Sequence, residues 1–258
     1  MHIRDFSMEY FSLKGKNAIV TGGNTGLGQA FALALAKAGA NICIPSITGN
    51  GDSTRELIED EGVRFHFIKT DLTKKGEPAR IIDACCDELA SVDILVNNAG
   101  ICINREFTEF DREPWDKMLN INLTAAFEMS HEAAKRMIRQ RSGKIINICS
   151  LFSFLGGRWS PAYASAKHGL AGLTRACCDE LAGYNIQVNG IAPGYYATEL
   201  TTMTRSNPET NKRVLEHIPA GRWGETLDLM GTVVFLASEA SNYVNGHILT
   251  VDGGYMVR

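Results

Sequence analysis

Thr21-Gly22-Gly23-Asn24-Thr25-Gly26-Leu27-Gly28 stands between a short β-like apolar run, Ala18 to Val20, and a helical run, Gln29 to Ala38, closed by Gly39. Strand, glycine turn and helix in that order predict the opening of a βαβ unit. Without Cβ atoms, Gly22, Gly26 and Gly28 permit a tight turn, a close approach of backbone to a ligand, and close packing of the helix on the sheet. The helix that follows offers free N–H groups and the positive end of its dipole, a setting suited to a pyrophosphate, with Asn24 and Leu27 in the same turn. A tight turn needs glycine in any case, and this spacing differs from the common G-x-G-x-x-G, so the turn alone leaves the ligand open.

Outward from this turn the same alternation recurs. Strand candidates are Ala18 to Val20, Asn41 to Ile44, Phe65 to Ile68, Ile94 to Val96, Lys144 to Ile148, Gln187 to Ile191 and Ile248 to Val251. Short apolar runs separated by longer helical patterns predict an α/β fold with a doubly wound, seven-stranded parallel sheet. The longest helical pattern, Glu113 to Gln140, places Pro114 in its first turn after Asp111 as a candidate cap. No Pro/Gly/Ser-rich linker, repeat or low-complexity tract divides residues 1–258, so one domain is expected. The segment from Tyr195 to about Pro219 breaks the rhythm with polar clusters, Thr201-Thr202 and Arg205-Ser206-Asn207-Pro208. It is expected to be a loop hanging as a lid beyond the carboxyl ends of the strands, with a disordered insertion as the alternative.

The composition is that of an ordinary globular protein: 45% apolar and 21% charged residues, and a formal net charge of −3 over 258 residues. With no long Lys/Arg run there is no footprint for nucleic acid or an anionic membrane surface, and neither is expected as a partner. His2, Arg4, Asp5 and Glu9 interrupt any secretory-type apolar run at the start, and later apolar stretches are too short for a membrane span, which together predict a cytoplasmic protein. The seven cysteines include two adjacent doublets, Cys85-Cys86 and Cys177-Cys178, and no CxxC pair. They are expected to be reduced thiols acting as small apolar residues, with no metal site, rather than a disulfide or metal framework.

A second set of residues carries chemistry. Tyr163 and Lys167 are four apart in the helical run from Pro161 to Ala182 and therefore share a face. Ser150 ends the fifth strand thirteen positions before Tyr163, and Asn122 lies within Asn120-Ile121-Asn122-Leu123 on the preceding long helix. Reducing a ketone requires hydride on carbon and a proton on the developing alkoxide, and a phenol can donate that proton. The phenol's free pKa near 10 is high for the task, and a neighbouring ammonium favours phenolate. In isolation Ser150 could be a strand-end hydroxyl satisfying backbone, and Asn122 a helix-kink residue.

The spacing T-G-x-x-x-G-x-G, the turn Asn97-Asn98-Ala99-Gly100 after the fourth strand, and the Asn122, Ser150, Tyr163 and Lys167 set together resemble the short-chain dehydrogenase/reductase family. The resemblance covers essentially the whole chain and implies a single-domain Rossmann fold with helices on both faces. It implies that Asn98, with Ala99 and Gly100, steadies the sheet beside a cofactor, and that Asp71, followed by Leu72, contacts an adenine. As alternatives, Asp71 caps a turn and Asn98 ties loops together. It further implies that Tyr163 transfers the proton, Lys167 binds the nicotinamide ribose, Ser150 binds the substrate oxygen, and Asn122 holds a relay water. Pro193-Gly194-Tyr195-Tyr196-Ala197-Thr198 resembles the family's P-G-x-x-x-T turn, which holds the nicotinamide carboxamide.

At the end of the second strand, where a carboxylate selects NAD and an arginine NADP, stands Ser46. With no Lys or Arg in the glycine turn either, NAD is the expected cofactor and NADP the alternative. Within the family, segments such as Ile218-Pro219-Ala220-Gly221-Arg222-Trp223-Gly224 resemble members that act on sugar acids, implying interconversion of 2-keto-3-deoxygluconate and its 2,5-diketo form, with gluconate oxidised at C5 as the rival. A catalytically silent dinucleotide sensor is the rival from another class. A carboxylate substrate calls for an arginine fork, and Arg105, Arg158 and Arg222 are the candidates, ordinary surface arginine being the alternative for each. The resemblance also implies a homotetramer built through the two long helices.

Overall fold

Every apolar run named above becomes a strand. In the computed structural model, which describes residues 3, 6–49 and 51–258, these are β1 (Asn17–Val20), β2 (Asn41–Ser46), β3 (Phe65–Lys69), β4 (Ile94–Asn97), β5 (Gly143–Ile148), β6 (Ile186–Pro193) and β7 (Ile248–Val251). His2, Arg4 and Asp5, three of the polar residues that interrupt the opening stretch, lie outside the described residues. The strands form one sheet in the order β3-β2-β1-β4-β5-β6-β7, and every pairing is parallel. β1, β4, β5 and β6 are buried along their whole length, as a parallel sheet covered on both faces demands. That is why apolar residues fall on both faces of these strands, and why their polar residues, such as Asn147, Gln187 and Asn189, are buried as well.

The chain builds outward from β1 through β2 to β3, then returns to lay β4 on the other side of β1. This reversal opens a crevice at the carboxyl ends of β1 and β4, where ligands bind in open α/β sheets. On one face α1 (Gly26–Lys37) packs against α9 (Leu227–Ala237), with α2 (Asp52–Glu59) beside α1. Phe31, Leu35, Leu229, Val233 and Leu236 seal that layer. On the other face α3 (Glu77–Leu89) packs against α5 (Ala125–Gln140), and α5 also meets α6 (Pro161–Leu181), around Ile81, Ile82, Met129, Ala133 and Met137. Cys43, Cys85 and Cys149 are buried as apolar residues, while Cys86 beside Cys85 is half-buried, as neighbours on a helix must diverge. No helix among the described residues is long and apolar enough to cross a membrane.

The structure departs from the sequence expectations in three places. The run from Glu113 to Gln140 is not one helix: α4 (Arg112–Leu119) and α5 are joined by a π-turn at Asn120–Thr124, in which the Ala125 amide donates to the Asn120 carbonyl. The Asn122 side chain donates to the Met118 carbonyl at 2.9 Å, competing with the ordinary helical bond there and admitting the extra residue. Asp111 precedes α4 but makes no side-chain cap. The stretch from Tyr195 to Pro219 is largely helical, with α7 (Thr202–Ser206) and α8 (Pro208–His217). Asn207 caps α8 by accepting from the Thr210 amide at 3.0 Å, and Pro208 occupies its first position. The polar cluster Arg205-Ser206-Asn207-Pro208 is therefore a helix boundary.

Candidate active site

A cleft of about 840 Å³ opens at the carboxyl ends of the strands, within the size range of small-molecule sites. The glycine turn contributes Gly22, Asn24, Gly26, Leu27 and Gly28; the end of β2 contributes Ser46, and the turn after β3 contributes Asp71 and Leu72. Asn98, Ala99 and Gly100 follow β4, Asn122 comes from the π-turn, and Ser150 follows β5. Tyr163 and Lys167 reach in from α6, and Pro193, Gly194 and Thr198 close the far wall after β6. Residues from eight segments scattered over 177 positions, Gly22 to Thr198, thus share one cavity.

The glycine turn and the asparagine turn are one hydrogen-bonded unit. Thr21 Oγ1 accepts from the amides of Asn98 at 2.9 Å and Ala99 at 3.0 Å, and Asn98 Nδ2 donates to the Thr21 and Gly22 carbonyls. Asn98 therefore ties loops together and borders the cleft at once. Gly22 adopts φ +62°, and a Cβ on Gly28 would stand 2.4 Å from the Gly22 carbonyl oxygen. Only glycine lets α1 start this close. The helix begins at Gly26 rather than Gln29, so the last residues of the turn are its first turn, and Thr25 gives it no side-chain cap. Its leading N–H groups stay available to an anion.

Two further observations fit a dinucleotide. Asn24 Nδ2 donates to the Thr48 carbonyl at 2.9 Å, while its buried Oδ1 has no partner among the described residues and leaves an acceptor for a donor such as a ribose hydroxyl. Asp71 Oδ1 accepts from the Thr73 amide at 3.0 Å and hydroxyl at 2.7 Å, so it does cap a turn, and these bonds hold its carboxyl below the ordinary carboxylate range. It lines the cleft as an ionised acceptor.

Ser150, Tyr163 and Lys167 sit where β5 and α6 meet. Ser150 opens a 3-10 turn, Leu151–Ser153, and its Oγ accepts from the Phe152 amide at 3.2 Å. Pro161 begins α6, which carries Tyr163 and, one turn on, Lys167. Lys167 is buried, donates from Nζ to the Ile148 carbonyl at 2.7 Å, and lies 5.5 Å from the centre of the Tyr163 ring. Burial lowers the Lys167 ammonium to about 8. The expectation that Lys167 pulls the phenol down is not what dominates here. Burial is the largest influence on Tyr163 and pushes its pKa above the ordinary value, with a hydrogen bond to Ser150 acting the other way. Both charged forms are penalised because both groups share one dry wall.

Asn122 lines the cleft with its side chain turned to backbone. Its Nδ2 donates to the Ile101 and Met118 carbonyls at 2.9 Å each, and its Oδ1 accepts from the Ile101 amide at 3.2 Å. The side chain is committed to backbone, which makes it the helix-kink residue of the alternative reading. It holds Ile101 in the segment that follows β4, and Gly100 is tightly fitted against it, since a Cβ there would lie 2.5 Å from Asn122 Oδ1.

None of the three arginines lines the cleft. Arg222 makes a two-point ion pair with Asp228, at 2.7 and 2.9 Å, on the surface. Arg105 pairs with Asp111 at 3.3 Å, and the Arg158 guanidinium lies 4.4 Å over the Trp159 ring. Arg105 and Arg158 are nonetheless near neighbours, because the Arg105 amide donates to the Trp159 carbonyl at 2.8 Å. Lys117 and Glu199 do line the cleft and do not stand out in the sequence, where an isolated charge on a helix has no signature. Ser153, beneath the wall that bears Ser150, has a signal that sequence reasoning passed over: it is the last residue of a Ser-x-x-Ser capping box.

The family model described as enoyl-(acyl carrier protein) reductase matches residues 22–256 of this chain. The uncharacterized oxidoreductase YgcW of Escherichia coli (strain K12) is 68% identical over 253 residues, covering 98% of this chain and 97% of that protein. The 2-dehydro-3-deoxy-D-gluconate 5-dehydrogenase of Bacillus subtilis (strain 168) is 48% identical over 250 residues, covering 96% and 97%. The crystal structure of a gluconate 5-dehydrogenase from Burkholderia cenocepacia J2315, in complex with NADP and tartrate, superposes with a TM-score of 0.91 at 36% identity, covering 97% of this chain and 98% of that one.

Proposed function

The chain belongs to the short-chain dehydrogenase/reductase family, and on that premise we propose that it interconverts 2-keto-3-deoxygluconate and its 2,5-diketo form, with NAD(H) as hydride carrier. The observation that carries the reaction type is the meeting of Ser150, Tyr163 and Lys167 on one wall of a glycine-cradled cleft. The substrate is supported by the 48% identity to a 2-dehydro-3-deoxy-D-gluconate 5-dehydrogenase, and gluconate 5-dehydrogenase is the second reading, favoured by the Burkholderia structure.

A bound nicotinamide supplies hydride in reduction and accepts it in oxidation. The Tyr163 hydroxyl, protonated at neutral pH as an ordinary phenol is and more so on burial, gives its proton to the substrate oxygen as negative charge develops there. Ser150 Oγ receives the Phe152 N–H on a lone pair, which leaves its own proton to donate toward that same oxygen. The Lys167 ammonium, held by the Ile148 carbonyl, stabilises the phenolate left behind. Asn98, Asn24, Asp71 and the α1 amides bind and orient the dinucleotide in this reading.

The NAD preference rests on the Ser46 end of the cleft. No Lys or Arg among the described residues lines it at Ser46, Ile47 or Thr48. Lys69, paired in register with Ser46, turns its ammonium to the Gly49 carbonyl at 2.9 Å. A 2′-phosphate would meet no arginine fork lining the cleft at Ser46, Ile47 or Thr48. For the substrate's carboxylate, the tied loops bearing Arg105 and Arg158 are the proposed source of positive charge at the mouth.

A panel of keto acids assayed with NADH and NADPH tests the reading. Turnover confined to sugar acids with NADH supports it. NADH binding with no turnover on any member would instead indicate a dinucleotide sensor. Tyr163→Phe is expected to lose most turnover and keep NADH affinity. Charge-removing changes at Arg105 and Arg158 should raise KM for acidic ketones far more than for neutral ones, and equal effects would reject the carboxylate role.

A further inference from the structure

Ser153 takes no part in the chemistry above, yet it is buried, and its hydroxyl, which also meets the Cys149 thiol, bridges two of the groups that do. Its Oγ donates to the backbone carbonyl of Lys167 at 2.8 Å and accepts the amide of Ser150 at 3.3 Å. The direction is fixed, since a carbonyl cannot donate and an amide cannot accept. Lys167 is thereby clamped at both ends: its ammonium holds the end of β5 through Ile148, and its backbone is held by the turn that follows β5. Between the two ties lie Ser150 and Tyr163. Phe152, in the middle of the same turn, packs edge-on to the Tyr163 ring at 6.0 Å and 79°, and its amide is the donor that occupies Ser150 Oγ. Gly157 leaves room for that ring, since a Cβ there would come within 3.0 Å of it.

We propose that Ser153 is a positioning residue, whose hydroxyl locks the Ser150 turn onto α6 at Lys167 and so fixes the alignment of Ser150 with Tyr163. The inference rests on the reading of Ser150 and Tyr163 as the proton-handling pair. The backbone bonds of the turn, Ser153 amide to Ser150 carbonyl and the Phe154 and Leu155 amides to the Leu151 carbonyl, are local to it, so the Ser153 hydroxyl is what joins the turn to the α6 backbone at that point. Without the hydroxyl the turn keeps its local shape and loses its anchor. The Ser150 amide also loses its acceptor, and the turn relaxes to recover one. Displacements of about 1 Å in a reacting constellation cost up to about 10²-fold in rate. The hydrogen bond between Ser150 and Tyr163 is also the one influence that draws the Tyr163 pKa down, so a displaced Ser150 leaves the phenol a weaker acid.

The test compares Ser153→Ala, Ser153→Thr and Tyr163→Phe with the wild type, in the full chain. A substrate-free arm uses protein labelled with ¹³C at Cζ of tyrosine. The resonance absent from Tyr163→Phe belongs to Tyr163, and it should move in Ser153→Ala while returning to its wild-type position in Ser153→Thr, which keeps the oxygen. The kinetic arm uses 2-keto-3-deoxygluconate with NAD and 5-ketogluconate with NADH. Ser153→Ala should lose about 10-fold or more in kcat, with NADH affinity and melting temperature near wild type. The limb of the reductive profile set by loss of the Tyr163 proton should move to higher pH. An unmoved Tyr163 resonance in Ser153→Ala, or a Ser153→Thr protein as impaired as Ser153→Ala, overturns the proposal. If Tyr163→Phe stays active, the proton-handling reading fails instead, and the resonance arm still decides whether Ser153 sets the Tyr163 environment.

Discussion

Gly28→Ala adds one methyl group at the tightest point of the cofactor cradle. Its Cβ would stand 2.4 Å from the Gly22 carbonyl oxygen and 2.5 Å from Asn98 Nδ2. Both distances fall roughly 1 Å short of van der Waals contact. Neither obstacle is the free end of a flexible chain: one is backbone, and the other is an amide already donating to the Thr21 carbonyl at 2.9 Å. The turn must lift off α1, and overpacking of this kind costs about 1–3 kcal/mol. Because the displaced groups are the cleft wall, that cost should fall on dinucleotide binding as a loss of roughly 5- to 150-fold in affinity. Two glycines calibrate the result. Gly26 has φ +55° but nothing within 4 Å of where a Cβ would stand, so Gly26→Ala should show backbone strain of about 1 kcal/mol without the clash. Gly172 is exposed within α6 with open space around it, so Gly172→Ala should leave binding unchanged and gain about 0.5–1 kcal/mol of stability. NADH titration by fluorescence, with thermal melting alongside, reads all three. A Gly28→Ala protein that binds NADH as the wild type does and melts at the same temperature would refute the close-approach argument.

Thr174→Val is nearly isosteric but takes from Asn147 Nδ2 its acceptor at 2.9 Å in a fully buried network that runs on through Asn97. Urea denaturation should show a loss of about 1–3 kcal/mol with NADH affinity intact, and an unchanged midpoint would count against the network. Lys144 is buried where it donates to Asn242 Oδ1 at 2.8 Å and Ser241 Oγ at 3.2 Å, and burial lowers it from 10.5 to about 8. The unfolded chain therefore binds more protons between those values, and this group's contribution to stability rises with pH across that window, by up to about 3 kcal/mol. Several thiols held above their ordinary range push the other way, so the effect is read as a difference: wild type should gain on Lys144→Met between pH 7 and 9.5, and a constant gap would reject it. Phe127 on α5 is 49% exposed and stacks on His131 at 5.9 Å. If the long helices build a homotetramer, Phe127→Glu should lower the mass seen by light scattering, and an unchanged tetramer would place the interface elsewhere.

What could be read from the sequence divides along a physical line. Strands, single-domain architecture and the glycine, asparagine and Tyr–Lys members of the cleft are legible because each rests on a local constraint that leaves a trace in residue type: β-branched residues for buried parallel strands, glycine where φ is positive or a Cβ would collide, and a Tyr–Lys pair at helical spacing. Even then the local reading stopped at position. Asn122 was placed in the cleft correctly, yet its side chain is consumed by Ile101 and Met118, because the π-turn comes from a competition for one carbonyl that no spacing announces. Asn207-Pro208 carries the ordinary cap-and-proline signal of a helix start, but inside a polar cluster it passed for loop.

The harder failures concern quantities that belong to the folded environment. Whether Lys167 lowers the Tyr163 pKa depends on how dry their shared wall is, and burial outweighs the charge. Whether an arginine is available to a substrate depends on what else it meets: Arg222 finds Asp228 six residues on, a pairing as invisible in the sequence as the packing of Arg158 on Trp159. Ser153 joins the two kinds of information. Its capping box is written locally, from Ser150 to Ser153, while its bond to the Lys167 carbonyl spans fourteen residues and exists only because β5 and α6 converge there. Ser150, Tyr163 and Lys167 are thus specified twice, once by the spacing that names them and once by a tertiary tie between the β5 turn and α6, and only the second is set by the folded chain.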